Sequence, residues 1–204
     1  MIPALTHAAQ VAIKNVVLGA LGCTLAAGAL AQPMPSSASA ARVTAQTVAS
    51  GLQHPWAVAF LPEGRFLVTE RPGRLRVVLP DGKLQAPVQG LPEIAAGGQG
   101  GLLDVITDSD FARNRTIYFC YSEPGQGTTN STALARARLS DDLQRLENVK
   151  VIFSQQPKVS SSNHFGCRIV ERRVAGKPDG TLFLTLGDRF SRRDDAQKLD
   201  SHIG

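Results

Sequence analysis

From residue 43 onward the apolar residues fall in short runs of four or five, broken by Gly, Pro and Asp, and almost none recur at helical spacing. Residues 57–61 meet a turn at Pro62-Glu63-Gly64 and return as residues 66–69. Pro72-Gly73 then turns the chain into residues 75–79, and Asp81-Gly82 turns it once more. Consecutive strands joined by tight turns predict an antiparallel meander. The unit recurs as residues 102–106 followed by 117–120. It recurs again as residues 168–170, a Pro178-Asp179-Gly180 turn, and residues 182–185. The second strand of each unit begins at 66, 117 and 182, a spacing that suits the blade of a β-propeller, typically ~40–50 residues. A β-sandwich built from similar hairpins gives the same local signals.

The first 31 residues follow a different pattern. Behind Lys14 comes an uncharged run rich in Ala, Gly and Leu that ends in Ala29-Leu30-Ala31 before Gln32, a small-x-small cleavage pattern. The run is short for a bilayer, so residues 1–31 read as a signal peptide rather than a membrane anchor, and residues 32–42 as a flexible spacer. A periplasmic or secreted protein with no stable membrane insertion after cleavage is expected.

Composition narrows the classes. Lys and Arg number 22 against 17 Asp and Glu, a net charge of +5, and no dense basic cluster stands out, so nucleic acid is not an expected partner. With 43% apolar residues a packed core is within reach, while 19 Gly and 12 Pro favour turns and strands over helices. Cys120 and Cys167 are the cysteines beyond the leader; a disulfide is permitted in an exported protein, but two cysteines do not define a framework. Cys120 alternates within an apolar strand and reads as core. No zinc spacing is present. Asn114-Arg115-Thr116 and Asn130-Ser131-Thr132 fit the glycosylation triplet.

Three polar clusters flank the strands. Gly97-Gly98-Gln99-Gly100-Gly101 lets backbone approach a ligand and projects Gln99 as donor and acceptor, or is simply a flexible loop. Ser160 to Arg168 contains Asn163-His164, where an imidazole could take a proton from an alcohol as hydride leaves its carbon, or could bond loop backbone. Leu186-Gly187-Asp188-Arg189 places at a strand end a carboxylate that could orient an imidazole, start a turn, or pair with Arg189 at the surface.

Taken in order, five segments resemble the soluble PQQ-dependent aldose sugar dehydrogenases, relatives of soluble quinoprotein glucose dehydrogenase. They are His54-Pro55-Trp56-Ala57, Thr69-Glu70-Arg71-Pro72-Gly73, Gly98-Gln99-Gly100-Gly101-Leu102-Leu103-Asp104, Asn163-His164-Phe165-Gly166 and Leu186-Gly187-Asp188. The resemblance covers residues 43–204. It implies an all-β, six-bladed propeller that oxidises aldoses at C1 to lactones, with hydride passing to PQQ and electrons to an external acceptor. It also implies His164 as general base, Asp188 as the acid beside it, Gln99 on quinone and sugar, and Asn163 lining the sugar site. Calcium is the second implied cofactor; its ligands and most of those for PQQ lie in later blades. A calcium-dependent propeller lactonase and a non-catalytic carbohydrate- or protein-binding propeller are the alternatives.

Two departures bear on the site. Cys167 stands where relatives tend to have Gly, which predicts a thiol near the base. The charged stretch Val170 to Lys177 is expected to interrupt the strand leading away from His164. Removing the leader leaves about 173 residues, three to four blades at ~45 residues each, against six in the family ring. The expectation is an N-terminal half, inactive alone.

Overall fold

The computed structural model describes residues 43–203; the expected signal peptide (1–31) and spacer (32–42) lie outside them. Three successive antiparallel sheets follow one another along the chain. The first runs β1 (Pro55–Phe60), β2 (Phe66–Glu70), β3 (Arg74–Val78). The second runs β4 (Leu102–Thr107), β5 (Thr116–Pro124), β6 (Asn130–Leu139), β7 (Leu146–Ser154). The third is the hairpin β8 (Gly166–Val174), β9 (Lys177–Leu186). One helical turn, α1 (Phe111–Asn114), joins β4 to β5. The fold is all-β and of the propeller kind expected, with three sheets standing for the three to four predicted blades. First strands pack on first strands: β1 lies against β4, and β4 against β8. Among the described residues no helix is long and apolar enough to cross a membrane.

The central sheet explains why the chain needs so many apolar positions. On β5, Ile117, Phe119 and Tyr121 point into a core shared with Leu67, Leu75 and Val77 of the first sheet. The alternate residues Tyr118 and Cys120 point into a second core shared with Cys167, Ile169, Leu182 and Leu184 of the third. A strand buried on both faces loses the alternation of a half-exposed one, because every residue then meets a neighbouring sheet. Polar ties cross the same boundaries: Thr69 Oγ1 donates to Leu103 O at 2.6 Å, and Ile169 N donates to the buried carboxylate of Asp104 at 2.8 Å.

Three expectations are corrected, and two strands are added. The added strands, β6 and β7, carry no strand prediction; β6 reads Asn-Ser-Thr-Ala-Leu-Ala-Arg-Ala-Arg-Leu, a composition of helix formers that pairing with β5 overrides. First, the charged stretch after Val170 does not break its strand. It lengthens the hairpin, which turns at Ala175-Gly176 (φ 50° and 79°) rather than at Pro178-Asp179-Gly180, now inside β9. Both residues with positive φ suit a two-residue hairpin turn. Beyond the core both faces of this hairpin meet water, so charges are accommodated there, and Arg172 reaches Asp179 across it at 3.3 Å. Second, Cys167 offers no free thiol: it is buried and bonded to Cys120, with 6.0 Å between their Cα atoms, joining the second sheet to the third. Third, Asn130 is not a free glycosylation acceptor. Its Oδ1 accepts from Arg189 at 2.7 Å, and Ser131 and Thr132 are fully buried.

Candidate active site

The loops before β4 and β8 and the one after β9 meet at one end of the sheets, and they carry Gln99, Asn163, His164 and Asp188. Gln99 N donates to Ser162 O at 2.8 Å, and the Gln99 side-chain Oε1 accepts from His164 N at 2.8 Å. Gly98 makes this closeness possible, since a Cβ there would stand 2.7 Å from Ser162 atoms. The glycine-rich loop is therefore an ordered clasp, with Gly100 N donating to Gly97 O at 2.8 Å.

His164 and Asp188 form a pair: His164 Nδ1 lies 2.7 Å from Asp188 Oδ1. The hydrogen bond with His164, followed by one from Phe190 N, holds the Asp188 carboxyl below the usual aspartate range. An ionised carboxylate only accepts, so Nδ1 carries the proton and donates it. In the neutral imidazole Nε2 then bears the lone pair, and among the described residues it has no hydrogen-bond partner. The imidazole is 45% exposed, open to a substrate. The two segments are zipped at the backbone: Arg189 N donates to His164 O and Gly187 N to Phe165 O, both at 3.2 Å. Gly187 is required there, because a Cβ would fall 2.1 Å from His164 O.

Asn163 sits beside the pair. Its backbone carbonyl is taken by Arg189, and among the described residues its side chain makes no hydrogen bond. Thus Gln99, Asn163, His164 and Asp188 all come together, the first through its amide oxygen and the last two through a direct contact.

Sequence reasoning treated Arg189 only as a surface partner for Asp188. Instead its side chain is fully buried and lies 3.9 Å above the Phe165 ring. It donates to four oxygens: Asn163 O, Asn130 O, Asn130 Oδ1 and Ser161 O. Burial lowers its pKa to about 10, which leaves it charged at neutral pH. Gln155, also buried and also unforeseen, donates from Nε2 to Gly187 O at 3.1 Å and supports the Asp188 loop from behind. Phe190 was missed as well; its ring lies 5.3 Å from the imidazole at 85°. The signal for Arg189 was its place directly after Asp188. For Gln155 and Phe190 the sequence carried none.

Next to this group a cleft of about 230 Å³ is lined by His54, Arg71, Pro72, Ala96, Gly97, Gly98 and Gly100. Two donors suit the carbonyl oxygens of a quinone: the Gln99 amide nitrogen, which has no acceptor among the described residues, and the guanidinium N–H groups of Arg71 other than the Nη1 that donates to Gly98 O. Among the described residues no three His, Cys, Asp or Glu side chains converge, so calcium finds no carboxylate cage in them.

The Glucose / Sorbosone dehydrogenase family model matches residues 52–204. The chain is 44% identical to the aldose sugar dehydrogenase YliI of Escherichia coli over 168 residues, 82% of this chain and 44% of that protein. A crystal structure of a glucose dehydrogenase matches with a TM-score of 0.71 at 47% identity, covering 78% of this chain and 45% of the other. The PQQ-bound form of an aldose sugar dehydrogenase from Streptomyces coelicolor matches with a TM-score of 0.65 at 25% identity, over 78% and 45%. The chain thus spans less than half the length of these relatives.

Proposed function

Because this chain belongs to the Glucose / Sorbosone dehydrogenase family, we propose that it supplies the base-bearing part of a site that oxidises aldose sugars at C1 to lactones. The observation that carries this reading is the His164–Asp188 contact, with Nε2 left open beside Gln99 and Asn163. His164 Nε2 accepts the proton of the C1 hydroxyl, and Asp188 balances the charge that the imidazole acquires through its Nδ1–H. Gln99 fixes the height of the base through its Oε1 and turns its amide N–H groups outward, as donors toward the sugar and the quinone. Asn163 adds a polar side chain toward the sugar hydroxyls. PQQ, when bound, supplies the electrophile that takes hydride from C1, and an external acceptor removes the electrons afterwards. Gln99 and Arg71 are the residues of this chain that would hold it. Export, read from residues 1–31, places this chemistry in the periplasm or outside the cell.

The test replaces the matching segment of the Escherichia coli aldose sugar dehydrogenase with residues 43–204. The graft, supplied with PQQ and calcium, is expected to reduce a redox dye with glucose. His164→Gln in that graft is expected to cut turnover by ~10²-fold or more while PQQ binding stays near normal. Turnover unchanged by the substitution removes His164 from the chemistry. A graft that hydrolyses a lactone and leaves the dye oxidised overturns the dehydrogenase reading in favour of a lactonase.

A further inference from the structure

We propose that Phe190 is the apolar wall against which an aldopyranose ring lies beside His164. The proposal rests on the aldose reading of the site and adds the group that recognises the sugar's carbon face.

The Phe190 ring is 64% exposed and belongs to neither apolar core. Its centroid lies 5.3 Å from that of the His164 imidazole, with the planes at 85°, so it stands upright next to the base. Burial in a core does not account for this placement. Phe190 and Arg189 adopt φ of 65° and 55°, a left-handed region that non-glycine residues avoid. A phenyl ring in water forgoes the burial that ordinarily places it in a core. The conformation is nonetheless fixed from both sides. Phe190 N donates to Asp188 Oδ1 at 2.8 Å, and Arg189 is locked by its four carbonyl acceptors and the Phe165 ring. The same carboxylate that orients the base therefore also sets the ring.

The chemistry of the ligand supplies what the rest of the site lacks. Gln99, Asn163 and Asp188 are all polar and suit the hydroxyl edge of a sugar. A pyranose also has faces made of axial C–H bonds, which gain by lying on an aromatic surface. Phenylalanine carries no polar atom, so it selects by shape alone: it favours a ring whose C–H face is uninterrupted by an axial hydroxyl, and disfavours a flexible acyclic polyol.

Saturation-transfer NMR on the graft of residues 43–204 into the Escherichia coli enzyme, supplied with PQQ and calcium, tests this, with D-glucose as probe and sorbitol as acyclic control. Irradiating aromatic protons is expected to saturate the ring C–H protons of glucose and to leave sorbitol little affected. Phe190→Ala is expected to weaken glucose binding roughly three- to tenfold, with Phe190→Trp retaining it and Phe190→Leu falling between. Because the side chain is exposed, these variants are expected to melt with the wild type. Glucose binding equal in Phe190→Ala and wild type, or sorbitol binding equal to glucose, overturns the wall and leaves the aldose reading standing. Failure of the graft with Phe190 in place to take up glucose overturns both.

Discussion

A guanidinium taken out of water ordinarily needs an anion beside it, and Arg189 is instead surrounded by carbonyl oxygens of Asn130, Ser161 and Asn163. Its planar fork can satisfy several acceptors at fixed angles, which a lysine ammonium cannot reproduce. Truncating it leaves those carbonyls buried and unpaired. Arg189→Met is therefore expected to lose about 3 kcal/mol in urea denaturation, and Arg189→Lys to recover less than half of that. A loss under about 0.5 kcal/mol would show that water replaces the guanidinium at no cost. At this scale the sequence showed the actors but not their relations. His164 and Asp188 were legible because base and acid chemistry names them. Arg189 was not, since an arginine after an aspartate reads as a surface ion pair unless one knows that the chain turns left-handed at Arg189 and Phe190. Cys167 was misread for a related reason: its partner is 47 residues away, on a strand of another sheet.

Among the elements, hairpins closed by Pro-Gly or Asp-Gly were legible, because a turn residue and its flanking strands are neighbours in the chain. Strand β6 was not, because Ala, Arg and Leu favour a helix until a partner strand on each side supplies the hydrogen bonds. The hairpin β8–β9 shows the converse error: charges that forbid a buried strand are permitted where the strand has outrun the core. This hairpin carries His164 at its entrance and Asp188 at its exit, so whatever fixes the hairpin fixes the pair. One such tie is the Cys120–Cys167 bond, which closes a loop of 47 residues between sheets. Changing both cysteines to serine is expected to lower stability by about 2–4 kcal/mol, measured by denaturant titration. Reduction of the wild type is expected to give the same midpoint shift. A double variant as stable as the oxidised chain would mean that packing alone holds the third sheet.

For the whole molecule, propeller architecture was legible from the repeat of second strands, at 66, 117 and 182 in the sequence and at Phe66, Thr116 and Lys177 in the structure. What the pattern could not reveal was how unequally the strands are buried. Strand β5 of the middle sheet is covered on both faces, whereas apolar side chains stand exposed elsewhere on every sheet: Val58 and Phe60 on the first, Val151 and Ile152 on the second, Val170 and Phe183 on the third. That inequality sets how the chain can vary. Substituting β5 residue by residue, from Ile117 to Ser122, is expected to damage the protein at nearly every step, because odd and even positions both enter a core. The same walk along β8 and β9 from Cys167 to Val170 and from Leu182 to Leu186 is expected to alternate between damage and indifference. A comprehensive substitution scan read out by folded yield would check both patterns, and equal tolerance in the two strands would contradict the sandwiching. A single substitution in β5 is therefore felt on two fronts at once, in the apolar contacts with the first sheet and in those with the third.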